Sequence, residues 1–177
     1  MEKIQPDAEW RDLLWRQFGA AIEMLENSIR ACPDELWRAH LWQEKDQPEF
    51  AAFWYLAFHA LFWLDYYLAD APEKFSPPAP FTMTEADMDG ALPDRVYTRE
   101  ELLTYLEYGR ERCRARIASA ELLAPQRCRP NNPDMTVAEL FIYNLRHVHE
   151  HAAQLNLFLG QQTGSAPGWV GRTKSEL

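Results

Sequence analysis

The segment from Phe50 to Ala69, F-A-A-F-W-Y-L-A-F-H-A-L-F-W-L-D-Y-Y-L-A, is apolar on nearly every side of a helix. Such a segment either spans a membrane, which takes about 20 apolar residues, or forms the buried helix of a bundle. His59 and Asp65 lie inside it, aromatic residues dominate over Leu, Ile and Val, and its flanks are not strongly basic. The sequence therefore predicts a buried bundle helix and no membrane partner.

Composition fits one domain over residues 1–177, with enough apolar side chains for a core. The chain is 47% hydrophobic and 13% aromatic, which excludes disorder, and its net charge of -9 argues against a nucleic-acid partner. The first residues form no apolar signal segment, and Cys32, Cys113 and Cys128 form no C-x-x-C pair. We therefore expect a cytoplasmic protein with free thiols.

Apolar residues at helical spacing predict a first helix from Pro6 to near Cys32, where a following proline ends it. The second helix is expected over about residues 48–69. Residues 71–93 are too rich in proline for a helix and too many for a tight turn, so we expect them to cross the molecule.

The third and fourth helices each begin with a capping box, Thr98 with Glu101 and Thr136 with Glu139. Gly160 is expected to end the fourth helix. No strand pattern is visible. The sequence thus predicts an all-α four-helix bundle with a long crossover between helices two and three.

Three of the five histidines of the chain fall between residues 147 and 151. His147 and His151 are four residues apart and share a helix face, whereas His149 is turned about 200° from His147. Asn144 and Gln154 lie close to the direction of the pair. An isolated pair of this kind is a weak signal, because helical histidines more often form ordinary core or surface contacts.

His59 strengthens the signal, because a polar ring inside an apolar helix needs a partner. Packed helices have axes only about 8–10 Å apart, so His59 could meet His147 and His151 across one interface. Three imidazoles with an open position suit zinc or nickel. A hydrogen bond from His59 to a backbone carbonyl or a tyrosine hydroxyl remains an alternative.

The stretch H-V-H-E-H also matches H-x-x-E-H, an inverted zinc-protease motif in which Glu150 would activate water. Such proteases need a further carboxylate ligand far downstream and a larger α+β body. Only Glu176 is acidic after His151. We interpret the match as a coincidence of helix composition.

The segments F-H-A-L-F-W-L-D-Y-Y-L around His59 and H-V-H-E-H-A-A-Q-L-N around His147 and His151 resemble the DinB-like, or YfiT-type, superfamily of metal-binding four-helix bundles. The resemblance implies that these three histidines hold a divalent metal ion and that the protein is a homodimer. It also implies a small-molecule hydrolase or a transferase that uses a low-molecular-weight thiol.

For such an enzyme, the aromatic side chains of Trp63 and Tyr143 are candidates for the pocket wall, and Arg146 could hold a substrate carboxylate. The metal would polarise the substrate or activate water or the thiol. The alternative is a non-catalytic, dimeric metal-binding or stress-associated protein whose three histidines are structural or vestigial.

Overall fold

The computed structural model describes residues 6–87, 91–127 and 134–177, and Cys128 lies outside this part of the chain. Its four α-helices are α1 (Pro6–Ala31), α2 (Phe53–Tyr66), α3 (Arg99–Ser119) and α4 (Val137–Thr163). Helices α1 and α2 each contact both α3 and α4. One apolar core joins all four helices, which confirms the predicted all-α bundle.

Helix α2 begins at Phe53, five residues after the start expected from the sequence. Residues Pro48–Ala51 form a separate 3₁₀ turn, and Ala52 is extended. The first amides of α2 find their acceptors in the preceding loop, since Phe53 N–H donates to Ala39 O (2.9 Å) and Trp54 N–H to Trp37 O (3.0 Å). These remote carbonyls replace a side-chain cap, so no local motif marks the helix start.

Both predicted capping boxes are present, at Thr98 with Glu101 and at Thr136 with Glu139. The predicted end of α4 at Gly160 is wrong, because the helix continues to Thr163. Gly164 ends it with φ of 74°, a left-handed conformation that favours glycine.

Two short strands, β1 (Pro125–Arg127) and β2 (Asp134–Thr136), pair antiparallel just before α4, with Gln126 opposite Met135. No pattern in the sequence predicts these strands. Three residues per strand are too few to show the alternation of a half-buried strand.

The connection between α2 and α3 is held against the bundle by two aromatic residues. Phe81 is buried and stacks on Tyr105 of α3 with ring centroids 4.3 Å apart. Phe75 meets Phe62 of α2 edge-on at 5.4 Å. The part of the connection around Phe75 and Phe81 therefore lies against α2 and α3, and a 3₁₀ turn over Met83–Ala86 follows it.

The C-terminal segment, residues 165–177, contacts α1 near its own end. Thr173 N–H donates to Arg16 O (3.0 Å), and the Trp15 indole donates to Ser175 O (3.0 Å). The side chain of Thr173 fills the space above Gly19, where an added Cβ would lie 2.6 Å from its Cγ2 atom. This segment therefore docks on α1 through a position that only glycine fits without a shift.

We expect Gly19→Ala to displace Thr173 from α1, because overpacking a close contact typically costs about 1–3 kcal/mol. The Thr173 amide should then exchange hydrogen faster in exchange measurements, since its bond to Arg16 opens. Gly160→Ala is the matched control, because its Cβ would meet Ala166 at an ordinary 3.5 Å. Equal protection of Thr173 in both variants would contradict this account of the docking.

Candidate metal centre

Three histidines face one another across the interface between α2 and α4. His59 is half-buried, whereas its neighbours throughout α2 are buried. His147 and His151 lie one turn apart on α4, and both are half-buried. The structure thus brings the three predicted side chains together.

The nitrogen atoms of these rings are spaced as ligands of one ion would be. His147 Nε2 lies 3.2 Å from His59 Nε2 and 3.1 Å from His151 Nε2. One ligand nitrogen from each ring falls within 4.8 Å of the other two. Two nitrogens bound at about 2.0–2.1 Å with tetrahedral angles would be about 3.3 Å apart. The three imidazoles could therefore hold a metal ion.

The hydrogen-bond partners of His59 and His151 decide which nitrogens of these two rings carry protons. His59 Nδ1 is hydrogen-bonded to Glu85 Oε1, and His151 Nδ1 lies 2.8 Å from Gln154 Oε1. Both oxygens accept, so each Nδ1 donates, and a neutral ring then has a lone pair on Nε2. Two lone pairs point at His147 Nε2, which can donate to only one of them. A cation shared by the three rings resolves this conflict.

Burial, and after it the nearby His59, lowers the pKa of His151 below its ordinary value. The ring therefore stays neutral to a lower pH than an exposed histidine. A neutral imidazole is the form that binds a metal ion.

Glu85 is a charged residue that contacts His59, and no pattern in the sequence indicated it. Its side chain is only 7% exposed. Burial by itself raises its pKa, but hydrogen bonds from His59, Tyr55 and Trp63 outweigh burial and hold the pKa of Glu85 below its ordinary value. The carboxyl group is therefore an ion at neutral pH.

The other residues named from the sequence lie at different distances from this centre. Trp63 donates to Glu85 Oε1 (3.0 Å), and Gln154 orients His151.

Asn144 is fully buried and donates to Leu64 O (2.9 Å), which ties α4 to α2. Tyr143 is half-buried, edge-on to Tyr67 at 5.2 Å, and Arg146 is exposed. Their roles toward a substrate stay predictions.

The remaining histidines, His40 and His149, are not part of the three-histidine group, and neither is Glu150 of the rival motif. His149 contacts Trp169 of the C-terminal segment, with ring centroids 5.5 Å apart. Glu150 is exposed, and His40 is an exposed residue bridged to Ala52. The metal group found among the described residues therefore contains neither His149 nor His40.

A cavity of about 490 Å³ opens at two of the three histidines, His59 and His151. His59, His151 and Gln154 form one part of its wall, and Glu85 lies at the same wall. The apolar part is formed by Trp42, Phe50 and Leu56. A larger cavity, of about 660 Å³, lies between α1 and the C-terminal segment and contains none of the three histidines. Of these two cavities among the described residues, the one of about 490 Å³ reaches the histidine centre.

Fold and site together define a class: an all-α bundle in which two facing helices present three imidazoles that could hold a metal ion. A family model described as the DinB superfamily matches residues 17–155, which include all three histidines and Glu85. The chain belongs to this superfamily, as the resemblance indicated. A search of curated proteins gave no match. Within the described residues, no helix has both the length and the apolar character needed to cross a membrane.

Proposed function

We propose that this protein is a metal-dependent enzyme that acts on a small molecule, with His59, His147 and His151 as ligands of a divalent ion, zinc or nickel. The observation that carries the proposal is the convergence of three Nε2 atoms beside an open cavity. Three protein ligands leave at least one position for water or substrate, as catalytic zinc sites do.

A bound divalent ion would polarise a substrate oxygen or lower the pKa of a nucleophile beside it. The side chains around the centre would bind the substrate and orient the histidine rings. Trp42 and Phe50 offer an apolar surface for the body of the substrate, while Gln154 and Glu85 hold two of the rings in place.

The nucleophile is either water, which makes the protein a hydrolase, or a low-molecular-weight thiol, which makes it a transferase. The described cysteines are poorly suited to attack. Burial raises the pKa of Cys32 to about 12 and also raises the pKa of the fully buried Cys113. A thiol nucleophile is therefore expected to enter as a co-substrate rather than to come from Cys32 or Cys113.

The proposal is tested by elemental analysis of the purified protein, followed by assays of zinc-loaded and nickel-loaded protein. One panel contains esters and amides in water; the other contains electrophiles with and without glutathione, bacillithiol or mycothiol. Turnover that is lost in His147→Ala and kept in His149→Ala supports the proposal. The panel in which turnover occurs identifies the nucleophile as water or thiol. A stoichiometric metal without turnover in either panel would argue against catalysis.

The second candidate is a non-catalytic metal-binding protein. The position of the rings favours it, because an ion held there would cross-link α2 to α4. In that case metal raises the melting temperature strongly, and His59→Ala lowers it with no activity to lose.

The homodimer, the cytoplasmic location and the single domain over residues 1–177 likewise stay predictions.

A further inference from the structure

The connection between α2 and α3 contributes a charged group to the histidine centre. Glu85 lies in the 3₁₀ turn Met83–Ala86, and Phe81, four residues earlier, anchors this part of the connection in the aromatic core. The carboxylate thereby reaches His59 from outside the helices that carry the three histidines.

Three donors hold the Glu85 carboxylate. The Tyr55 hydroxyl donates to Oε2 (2.5 Å), and the Trp63 indole donates to Oε1 (3.0 Å). His59 Nδ1 is the third donor, also to Oε1. Tyr55 and Trp63 lie one turn before and one turn after His59 on α2, so one helix face presents all three donors. A buried carboxylate is costly unless its oxygens are satisfied, and here they are.

We propose that Glu85 is the positioning residue of the metal site. It keeps the proton of His59 on Nδ1, fixes the plane of the ring, and so aims the Nε2 lone pair at the point shared with His147 and His151. A carboxylate behind a ligating imidazole also makes that imidazole a stronger base toward the metal. This inference rests on the metal-binding part of the proposed function and adds that the connection is part of the site.

A purely structural role for Glu85 would be to fasten the connection to α2 through Tyr55 and Trp63. That role affects the melting temperature but needs no particular proton position on His59. The tautomer of His59 therefore separates the two roles. In metal-free wild-type protein, long-range ¹H–¹⁵N imidazole spectra should show His59 protonated at Nδ1.

The decisive variant is Glu85→Gln, which removes the charge while keeping the size of the side chain. We expect zinc affinity, measured by competition with a chromophoric chelator, to fall by about 10–100-fold, as for other partners of metal-bound histidines. The His59 tautomer should shift toward Nε2–H. Glu73→Gln is the matched control, because Glu73 is an exposed residue of the same connection.

A Glu85→Gln affinity within about threefold of wild type would overturn the inference, as would wild-type His59 protonated at Nε2. The wild-type spectrum decides even if the variant does not fold. A wild-type protein that binds no zinc would overturn the proposed metal site itself. A wild type that binds zinc as tightly as Glu85→Gln does would overturn only the role of Glu85.

Discussion

The His147→Ala variant is expected to lose zinc affinity by at least about 100-fold while keeping its helical content. His147 is the central ring, because its Nε2 lies 3.2 Å and 3.1 Å from the Nε2 atoms of the other two histidines. Its removal leaves two ligands on different helices. Loss of a residue that only supports a ligand already costs about 10–100-fold, so loss of the ligand itself should cost at least as much.

The measurement is a competition titration with zinc, together with far-ultraviolet circular dichroism to confirm the fold. His149→Ala is the matched control, since it removes the same side chain from the same helix at a ring that contacts Trp169. Unchanged zinc affinity in His147→Ala would show that the three rings are not the ligands. Equal loss in both variants would point to damage to α4 instead.

The Arg112→Gln variant is expected to lower the free energy of unfolding by about 3 kcal/mol at neutral pH. Asp65 on α2 is completely buried, where it pairs with Arg112 and accepts a hydrogen bond from the Tyr105 hydroxyl (3.1 Å). Removing the cation leaves the carboxylate buried without its charge partner. We use the lower end of the usual range because the Arg112 side chain is 32% exposed.

The same variant should show a distinctive pH dependence. Burial raises the pKa of Asp65 above its ordinary 3.8, against the opposing effects of Arg112 and Tyr105. Without Arg112 the pKa rises further, so the carboxyl group holds its proton more tightly in the folded state. Stability from a raised pKa is present below the unfolded value and is lost as pH rises through the folded value. The deficit of the variant should therefore be small near pH 3.8 and largest at neutral pH.

Urea unfolding across this pH range checks the prediction. Arg114→Gln, which removes the same charge from the same helix, is the control. A deficit in Arg112→Gln that stays constant with pH would mean that the pair with Asp65 is not its cause.

Features that depend on near neighbours in the chain could be predicted from the sequence. The two capping boxes are confirmed. They could be predicted because each needs only a threonine and the glutamate three residues later. The shared face of His147 and His151 follows from helix geometry alone. His59 lies 88 positions from His147, and it was still predicted to meet the pair because a polar ring inside an apolar helix needs a partner.

Two features that depend on distant parts of the chain were missed. Glu85 lies in a proline-rich connection without periodicity, so nothing in the sequence indicates that it faces His59. The start of α2 is set by carbonyls of Ala39 and Trp37, which no local pattern reveals. Arg146 shows that nearness in sequence is not enough. It adjoins His147 in the chain, but its side chain is turned about 100° away on the helix and is exposed.

His59 and His147 are 88 positions apart in the chain. Closing so long a loop costs entropy before the two rings can meet, so we expect their contact to form after the local helical contacts. An ion that binds there would therefore bind mainly to the folded protein. It would extend the lifetime of the native state by slowing its opening, with little influence on how fast that state is reached.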